Sequence, residues 1–251
     1  MHHQYARPCK VILPYSGNKV EVWHKRAQDN VISLLTDPRW TDDDWLYFDD
    51  NPFAAPPDNN NFIDDINSGD AYRETYKRLI TKPDHQILVP ILLYIDGAVT
   101  GQFDNLQVTA LKMSLGILNR KARDKEYAWR NLGIVPNYTK EESVGKKMFF
   151  ESGHVGYKER YGSGNNDDVF FGVPDVNKAA DYHTILALLV DSLKKVISEG
   201  MVVNIYYKGH LYKNCQLVFF VPFVECDGNK GDKLCLHYRN SVGGIDNLPH
   251  L

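Results

Sequence analysis

The sequence lacks the features that mark several large protein classes. No apolar run reaches the ~18 residues that a membrane-spanning helix needs, so we expect no membrane association. Four cysteines in 251 residues are too few for a disulfide framework. The first five residues, MHHQY, do not show the basic and then apolar pattern of a signal peptide. Together these absences predict an intracellular protein with reduced thiols.

Several familiar catalytic motifs are missing too. The chain contains no Walker A sequence, no Gly-x-Gly-x-x-Gly and no Gly-x-Ser-x-Gly. Its formal net charge of −3 excludes a polycation that binds nucleic acid through overall charge, although it leaves room for a local basic face. Hydrophobic residues at 43% and charged residues at 24% are ordinary for a globular chain, which excludes wholesale disorder.

Acidic charge is concentrated in one segment. Residues 41–70 contain nine aspartates and no lysine or arginine, and they are also rich in proline and asparagine. This composition is typical of an extended, solvated loop. The segment also carries aromatic residues, namely Trp45, Tyr47, Phe48 and Phe53. We therefore favour a loop that is held to the rest of the protein by its aromatics over an acidic binding surface.

The apolar pattern predicts a mixed α/β fold. Helical spacing predicts helices over about 25–36, 70–80 and 181–199, with Asp70 as a cap and Gly200 as a helix end. The predicted strands cover residues 87–95, 107–118, 126–135, 203–209 and 212–228. The stretch 151–180, rich in glycine, asparagine and aspartate, predicts a surface insertion. This order of elements predicts a mixed sheet with a helix packed on it.

Two predicted strands both end in an Asp-Gly pair, Asp96-Gly97 and Asp227-Gly228. If these strands are parallel neighbours, the two carboxylates lie side by side, and a divalent cation relieves their repulsion. Hard carboxylate ligands suit Mg²⁺ or Mn²⁺, and paired metals of this kind serve phosphodiester chemistry. The alternative is that Asp-Gly is simply a common turn dipeptide. Spacing alone favours that alternative.

A basic stretch follows the second predicted strand. Residues 112–147 hold nine lysines and arginines against four acidic residues. The residues that we single out for nucleic-acid binding are Arg120, Lys121, Arg123, Lys125 and Arg130. They form either a face that contacts phosphates or a solvated turn, and the sequence favours neither.

The thiols give a weaker signal. Cys226, Cys235 and His237 supply part of a zinc ligand set, but their spacing matches no complete set, so zinc is not expected within this chain alone. A partial zinc knuckle at Cys235 would need a partner beyond the C-terminus. A buried cysteine such as Cys215 or Cys226 is more often a small core residue.

From about residue 20 onward, the sequence resembles the transposase core of CACTA/Plavaka-type DNA transposons. Asp96-Gly97 after an apolar strand is similar to the "T-D-G" segment of that family. The other matching segments are Thr109–Gly133, Leu188–Gly200, Val218–Asp227 and Lys233–Cys235. In the family they correspond to two strands joined by a basic turn, a helix, the strand before the second aspartate, and a cysteine segment.

The resemblance implies a ribonuclease-H-like core with the first acidic residue on the first strand and the second at the end of the fourth. Asp96 and Asp227 occupy these places and would be the catalytic Mg²⁺ (or Mn²⁺) ligands for hydrolysis and strand transfer of DNA ends. The resemblance also implies transposon-end DNA as the partner, self-association and a nuclear location.

The chain departs from the family pattern in its extent. The family core continues to a third acidic residue, whereas this sequence ends at Leu251. We therefore expect a truncated transposase, with an irregular helical and acidic N-terminal arm over 1–85. A partial ribonuclease-H-like core, incomplete at the C-terminus, would span 86–251. The alternative function is a non-catalytic remnant that binds DNA or a protein.

Overall fold

The computed structural model describes most of the chain in six ranges. These ranges are 6–15, 17–46, 51–56, 64–100, 106–135 and 176–226. For residues 96–100, 106–108, 135 and 176–180, the description covers the backbone only. The predicted insertion therefore lies outside the described residues, apart from its last five positions.

Eight strands of the described ranges form one mixed sheet. They are β1 (Arg7–Ile12), β2 (Lys19–His24), β3 (Gln86–Thr100), β4 (Leu106–Leu115), β5 (Arg130–Val135), β6 (Met201–Tyr207), β7 (His210–Phe220) and β8 (Val224–Cys226). The order across the sheet is β1-β2-β5-β4-β3-β7-β6, with β8 also paired to β3. Neighbours run antiparallel, except that β3 is parallel to both β7 and β8. The predicted mixed α/β sheet is thus confirmed.

The three predicted helices are present. The helices of the described ranges are α1 (Ala27–Leu35), α2 (Asp70–Leu79), the short α3 (Arg120–Arg123) and α4 (Val176–Glu199). Gly200 ends α4 with a φ of 68°, a left-handed conformation that glycine adopts without steric cost. The cap prediction for α2 is wrong, because the extended residue before the helix is Gly69 and Asp70 is already helical. Within these ranges, no helix is long and apolar enough to cross a membrane.

The core lies between one face of the sheet and the helices α1 and α4. Leu34, Ile91, Leu111, Leu189 and Phe219, from two helices and three strands, are each at most 1% exposed. Each such side chain contributes about 1.5–3 kcal/mol when it is removed from water. The predicted packing of a helix on the sheet is confirmed by α4, which contacts β5 and β7.

The first 24 residues contribute strands that the sequence analysis did not predict. β1 and β2 form a hairpin, and β2 joins the sheet through Trp23 opposite Ile134 and His24 opposite Gly133. The sheet therefore extends across the boundary that we placed at residue 85, and an arm with helices alone does not describe this region. The strands were missed because each has only six residues, with charged residues interleaved.

Strand ends differ from prediction at two places. β3 does not end at Asp96-Gly97 but continues to Thr100, because β4 keeps pairing with it as far as Thr100 opposite Leu106. β5 begins only at Arg130, because Glu126–Ala128 form a 3-10 turn. Asp96 therefore lies within a strand rather than at its end.

Candidate functional site

The two apolar strands that precede the candidate aspartates are parallel neighbours. β3 pairs with β7 from Gln86 opposite Gln216 to Pro90 opposite Phe220. The chain then leaves the ladder for three residues, and β8 resumes the pairing with β3 in the same direction. A parallel, neighbouring arrangement is the condition for a metal site shared by Asp96 and Asp227, and the described strands meet this condition.

The last described pair of this ladder is Ile95 opposite Cys226. Each of these residues is followed in the sequence by one of the candidate metal ligands, Asp96 and Asp227. The backbone of Asp96 lies in β3, opposite Ala110 of β4. Asp227 lies outside the described residues. The strand register thus brings together the positions just before the two aspartates, and the meeting of their carboxylates stays a prediction.

A bulge sets this register. Between Pro90 opposite Phe220 and Leu93 opposite Val224, β3 advances three residues while the other strand advances four. The extra residue falls in a break that contains Pro222, which cannot donate a ladder hydrogen bond. Without it, Ile95 would pair with Glu225 rather than with Cys226. The alignment of the two Asp-Gly pairs therefore depends on one inserted residue.

Charged and aromatic side chains surround the end of this ladder. Tyr94 lies opposite Lys112 on β4 and opposite Glu225 on β8. Its ring contacts Trp129 edge to face, with centroids 5.9 Å apart. Glu225 is exposed, whereas Tyr94 and Lys112 are half-buried. A lysine and a glutamate thus each lie two residues from the Asp96 register position.

The five basic residues that were predicted to bind nucleic acid fall into two groups, one in ion pairs and one exposed. Arg123 pairs with Asp65 at 2.6 Å, Lys125 with Asp44 at 2.7 Å, and Arg130 with Asp37 at 2.6 Å. Arg120 and Lys121, in α3, have exposed side chains. Three of the five basic residues are therefore engaged by aspartates from the N-terminal part of the chain.

These contacts explain how the acidic segment is held. Its described aromatic residues Trp45 and Phe53 pack against the core, while Tyr47 and Phe48 lie outside the described residues. The hydrogen bond from Lys125 holds the pKa of Asp44 below its usual value, with further lowering by the backbone N–H of Thr41. The described parts of the segment are therefore docked on the protein, as the composition and aromatic residues of the segment predicted.

The thiols do not add a metal site in the described ranges. Cys215 is 1% exposed, and burial raises the pKa of its thiol. Cys226 packs against the same core, in agreement with the prediction of small core residues. Cys235 and His237 lie outside the described residues. Among the residues that the structure describes, no three His, Cys, Asp or Glu side chains gather where they could hold a metal.

Sequence reasoning did not single out Trp23. It lies on β2 with 48% of its surface exposed, beside Ile134 of β5 at 39%. The alternation of Val20 and Val22 with polar neighbours was the signal that would have placed Trp23 on the open side of a strand.

Comparison of the chain with protein-family models, curated proteins and solved structures found no match.

Proposed function

We propose that this chain is part of a transposase-type nuclease core in which Asp96 and Asp227 hold Mg²⁺ or Mn²⁺ for DNA strand cleavage and transfer. The observation that carries the proposal is the parallel register in which Ile95 lies opposite Cys226. The antiparallel strands β3, β4 and β5, the helix α4 and the later strand β7, parallel to β3, also support a ribonuclease-H-like core, with β6 inserted between α4 and β7. A nuclear location and self-association rest on the sequence resemblance.

The chemistry follows from the two carboxylates. Neighbouring carboxylates at Asp96 and Asp227 repel when both are ionised, and a divalent cation held between them removes this cost. Oxygen ligands of this kind select hard cations with bound water. Held by Asp96 and Asp227, such a cation would polarise a phosphodiester and would supply an activated water. Lys112, on the strand next to Asp96, adds a positive charge near the incoming phosphate.

Within the basic turn, we expect the exposed residues to make the main contacts with DNA. Arg120 and Lys121 are exposed in α3 and can reach phosphates without breaking an ion pair. Arg123, Lys125 and Arg130 would have to exchange a bonded aspartate for a phosphate. We therefore expect Arg120 and Lys121 to contribute more to DNA affinity than the other three.

Metal binding and plasmid nicking test the proposal together. We expect the wild type to bind Mn²⁺ by calorimetry and to nick supercoiled DNA, and both Asp96→Asn and Asp227→Asn to lose both properties. Asp191→Asn is the matched control, because Asp191 is an exposed aspartate on α4. Equal nicking and equal Mn²⁺ affinity in all four proteins would refute the assignment.

The alternative is a non-catalytic module that binds DNA or a protein. The internal pairing of Arg123, Lys125 and Arg130 favours it, because these ion pairs give the basic turn a structural role. DNA binding that needs no metal and survives Asp96→Asn, in the absence of any nicking, would support this alternative.

A further inference from the structure

One face of the sheet carries exposed side chains on the neighbouring strands β1, β2 and β5. Val22 of β2 is fully buried toward α1 and α4, whereas the next residue, Trp23, is 48% exposed. Pro8 of β1 and Ile134 of β5 flank Trp23 in the ladder, and both are exposed. Because successive residues of a strand point to opposite faces, these three side chains lie on the side away from the helices.

The same face carries positive charge. Lys10 lies opposite Glu21, and Lys19 lies opposite Ile12, in the β1–β2 hairpin. All four side chains are exposed, and by the alternation of the strands they share the face of Trp23. Two lysines against one glutamate leave a small net positive charge beside an exposed indole ring. We call this surface, formed by Pro8, Lys10, Ile12, Lys19, Glu21, Trp23 and Ile134, the Trp23 face.

The Trp23 face is connected by register to Asp96. Trp23 lies opposite Ile134, Ile134 opposite Ala110, and Ala110 opposite Asp96. These residues form one row across four strands. Three strand spacings amount to about 14 Å. This is roughly the length of four stacked nucleotides of one DNA strand, at about 3.4 Å each.

We propose that the Trp23 face binds unpaired DNA nucleotides beside the candidate cleavage centre, with Trp23 stacking on a base and Lys10 and Lys19 contacting phosphates. The proposal rests on the proposed nuclease function. A single strand is favoured because a base offers its flat face to an indole only when it has left the duplex stack. The lysines supply the charge complementarity that a backbone requires.

A second copy of the chain fits this face less well. A stable protein interface buries about 800 Å² on each partner around an apolar centre. On the Trp23 face, the charged residues Lys10, Lys19 and Glu21 separate Ile12 from Trp23 and Ile134. This interleaving suits a ligand that alternates aromatic and charged groups.

The test is the binding of a fluorescently labelled oligo(dT) of 12 nucleotides, measured by anisotropy in EDTA. We expect Trp23→Ala to raise Kd about 5- to 160-fold, the range for loss of one stacked base. Trp23→Phe keeps an aromatic ring and should retain most of the affinity. Tyr206→Ala is the matched control, because Tyr206 is a 69% exposed aromatic on β6, at the far end of the sheet. Lys10→Ala and Lys19→Ala should weaken binding and reduce its salt dependence.

Several outcomes would overturn the inference. The first is that the folded wild type does not bind oligo(dT). The second is that Trp23→Ala and Tyr206→Ala lose equal oligo(dT) affinity. The third is that the wild type binds duplex DNA more tightly than oligo(dT). A dimer that Trp23→Ala dissociates, without oligo(dT) binding, would show that a second copy covers the face. Circular dichroism checks that each variant is folded. If Trp23→Ala does not fold, unchanged oligo(dT) affinity in both Lys10→Ala and Lys19→Ala would refute the inference.

The two proposals fail separately. The oligo(dT) assay contains no metal, so it tests the Trp23 face without the nicking reaction. If Trp23→Ala binds normally while Asp96→Asn abolishes nicking, the nuclease proposal stands and the Trp23 face is refuted. If Trp23→Ala loses binding while Asp96→Asn nicks normally, the face binds DNA but the nuclease proposal is refuted.

Discussion

Arg123 and Asp65, 58 positions apart in the chain, form a 2.6 Å ion pair in which both side chains are largely buried. Asp65 also accepts hydrogen bonds from the backbone N–H groups of Ile66, at 2.7 Å, and Arg120, at 3.2 Å. One carboxylate thus joins the start of a 3-10 helix in the acidic segment to the basic turn at α3. The acidic segment and the basic turn stabilise each other through this contact.

Asp65→Asn should therefore lower the free energy of unfolding by about 2–4 kcal/mol, because it leaves the buried Arg123 without its counter-charge. Urea unfolding measures the change. The control is Asp29→Asn, whose partner Arg26 is 47% exposed. An exposed pair contributes at most about 1 kcal/mol. Equal losses in the two variants would contradict a special role for the buried pair.

The contacts of Asp37 predict an acid-labile fold. Arg39, and then Arg130, hold the pKa of Asp37 far below its ordinary value, although partial burial acts in the opposite direction. A depressed folded-state pKa stabilises the fold above the unfolded value of about 3.9. We expect the free energy of unfolding to fall as the pH drops below about 4. In Asp37→Asn, the free energy of unfolding should decrease less over the same pH range. Urea unfolding at pH 6, 4 and 3 measures the difference.

Asp44 adds to the same effect, since Lys125 holds its pKa below the ordinary value. The double variant Asp37→Asn and Asp44→Asn should therefore show a flatter profile than either single variant. Parallel profiles for the wild type and all variants would mean that other groups control acid unfolding.

The first residue of α1 donates a hydrogen bond to another helix. The α1 cap residue Arg26 makes no side-chain cap, and the N–H of Ala27 instead donates to Ser192 Oγ of α4 at 2.9 Å. Ser192→Ala should cost about 1 kcal/mol of unfolding free energy, the typical value of a helix cap. Ser198→Ala, on an exposed position of the same helix, should be nearly neutral. Thermal unfolding of both variants checks this, and a neutral Ser192→Ala would disprove the cap.

Strong local patterns made much of the sheet and of α4 predictable from the sequence. The apolar runs 87–95 and 217–224 predicted central strands, and they correspond to β3 and to β7 with its break. Apolar residues recur with a period of 2 in strands and 3.6 in helices, because each buried position requires an apolar side chain. A single sequence is enough to show these patterns. That these two strands lie side by side could be stated only as a condition of the metal site, because a sequence does not specify which strands pair.

The parts that escaped prediction depend on partners distant in the chain. Asp65 was predicted to lie in a solvated loop, and Arg123 to lie either on a phosphate-binding face or in a solvated turn, because nothing local shows that the two residues meet. β3 runs past Asp96-Gly97 since β4 continues beside it, although Asp-Gly reads locally as a turn. The bulge around Pro222 adds one residue to one strand, and this single residue decides which position lies opposite Ile95.

The close crossing of α4 over β5 requires glycine at position 133. A Cβ atom there would lie 2.9 Å from the backbone oxygen of Trp23 and would also collide with Leu189 of α4. Gly133→Ala should therefore lower the free energy of unfolding by about 1–3 kcal/mol, the usual cost of overpacking.

A double-mutant cycle separates the two collisions. Leu189→Ala removes the side chain that Gly133→Ala would meet, so the double variant should lose at least about 0.5 kcal/mol less than the sum of the single variants. The collision with the Trp23 oxygen remains, so the relief should be incomplete. Gly133→Ala with Leu193→Ala, one turn further along α4, is the control pair and should be additive. Additivity in both pairs would show that Leu189 does not press on β5.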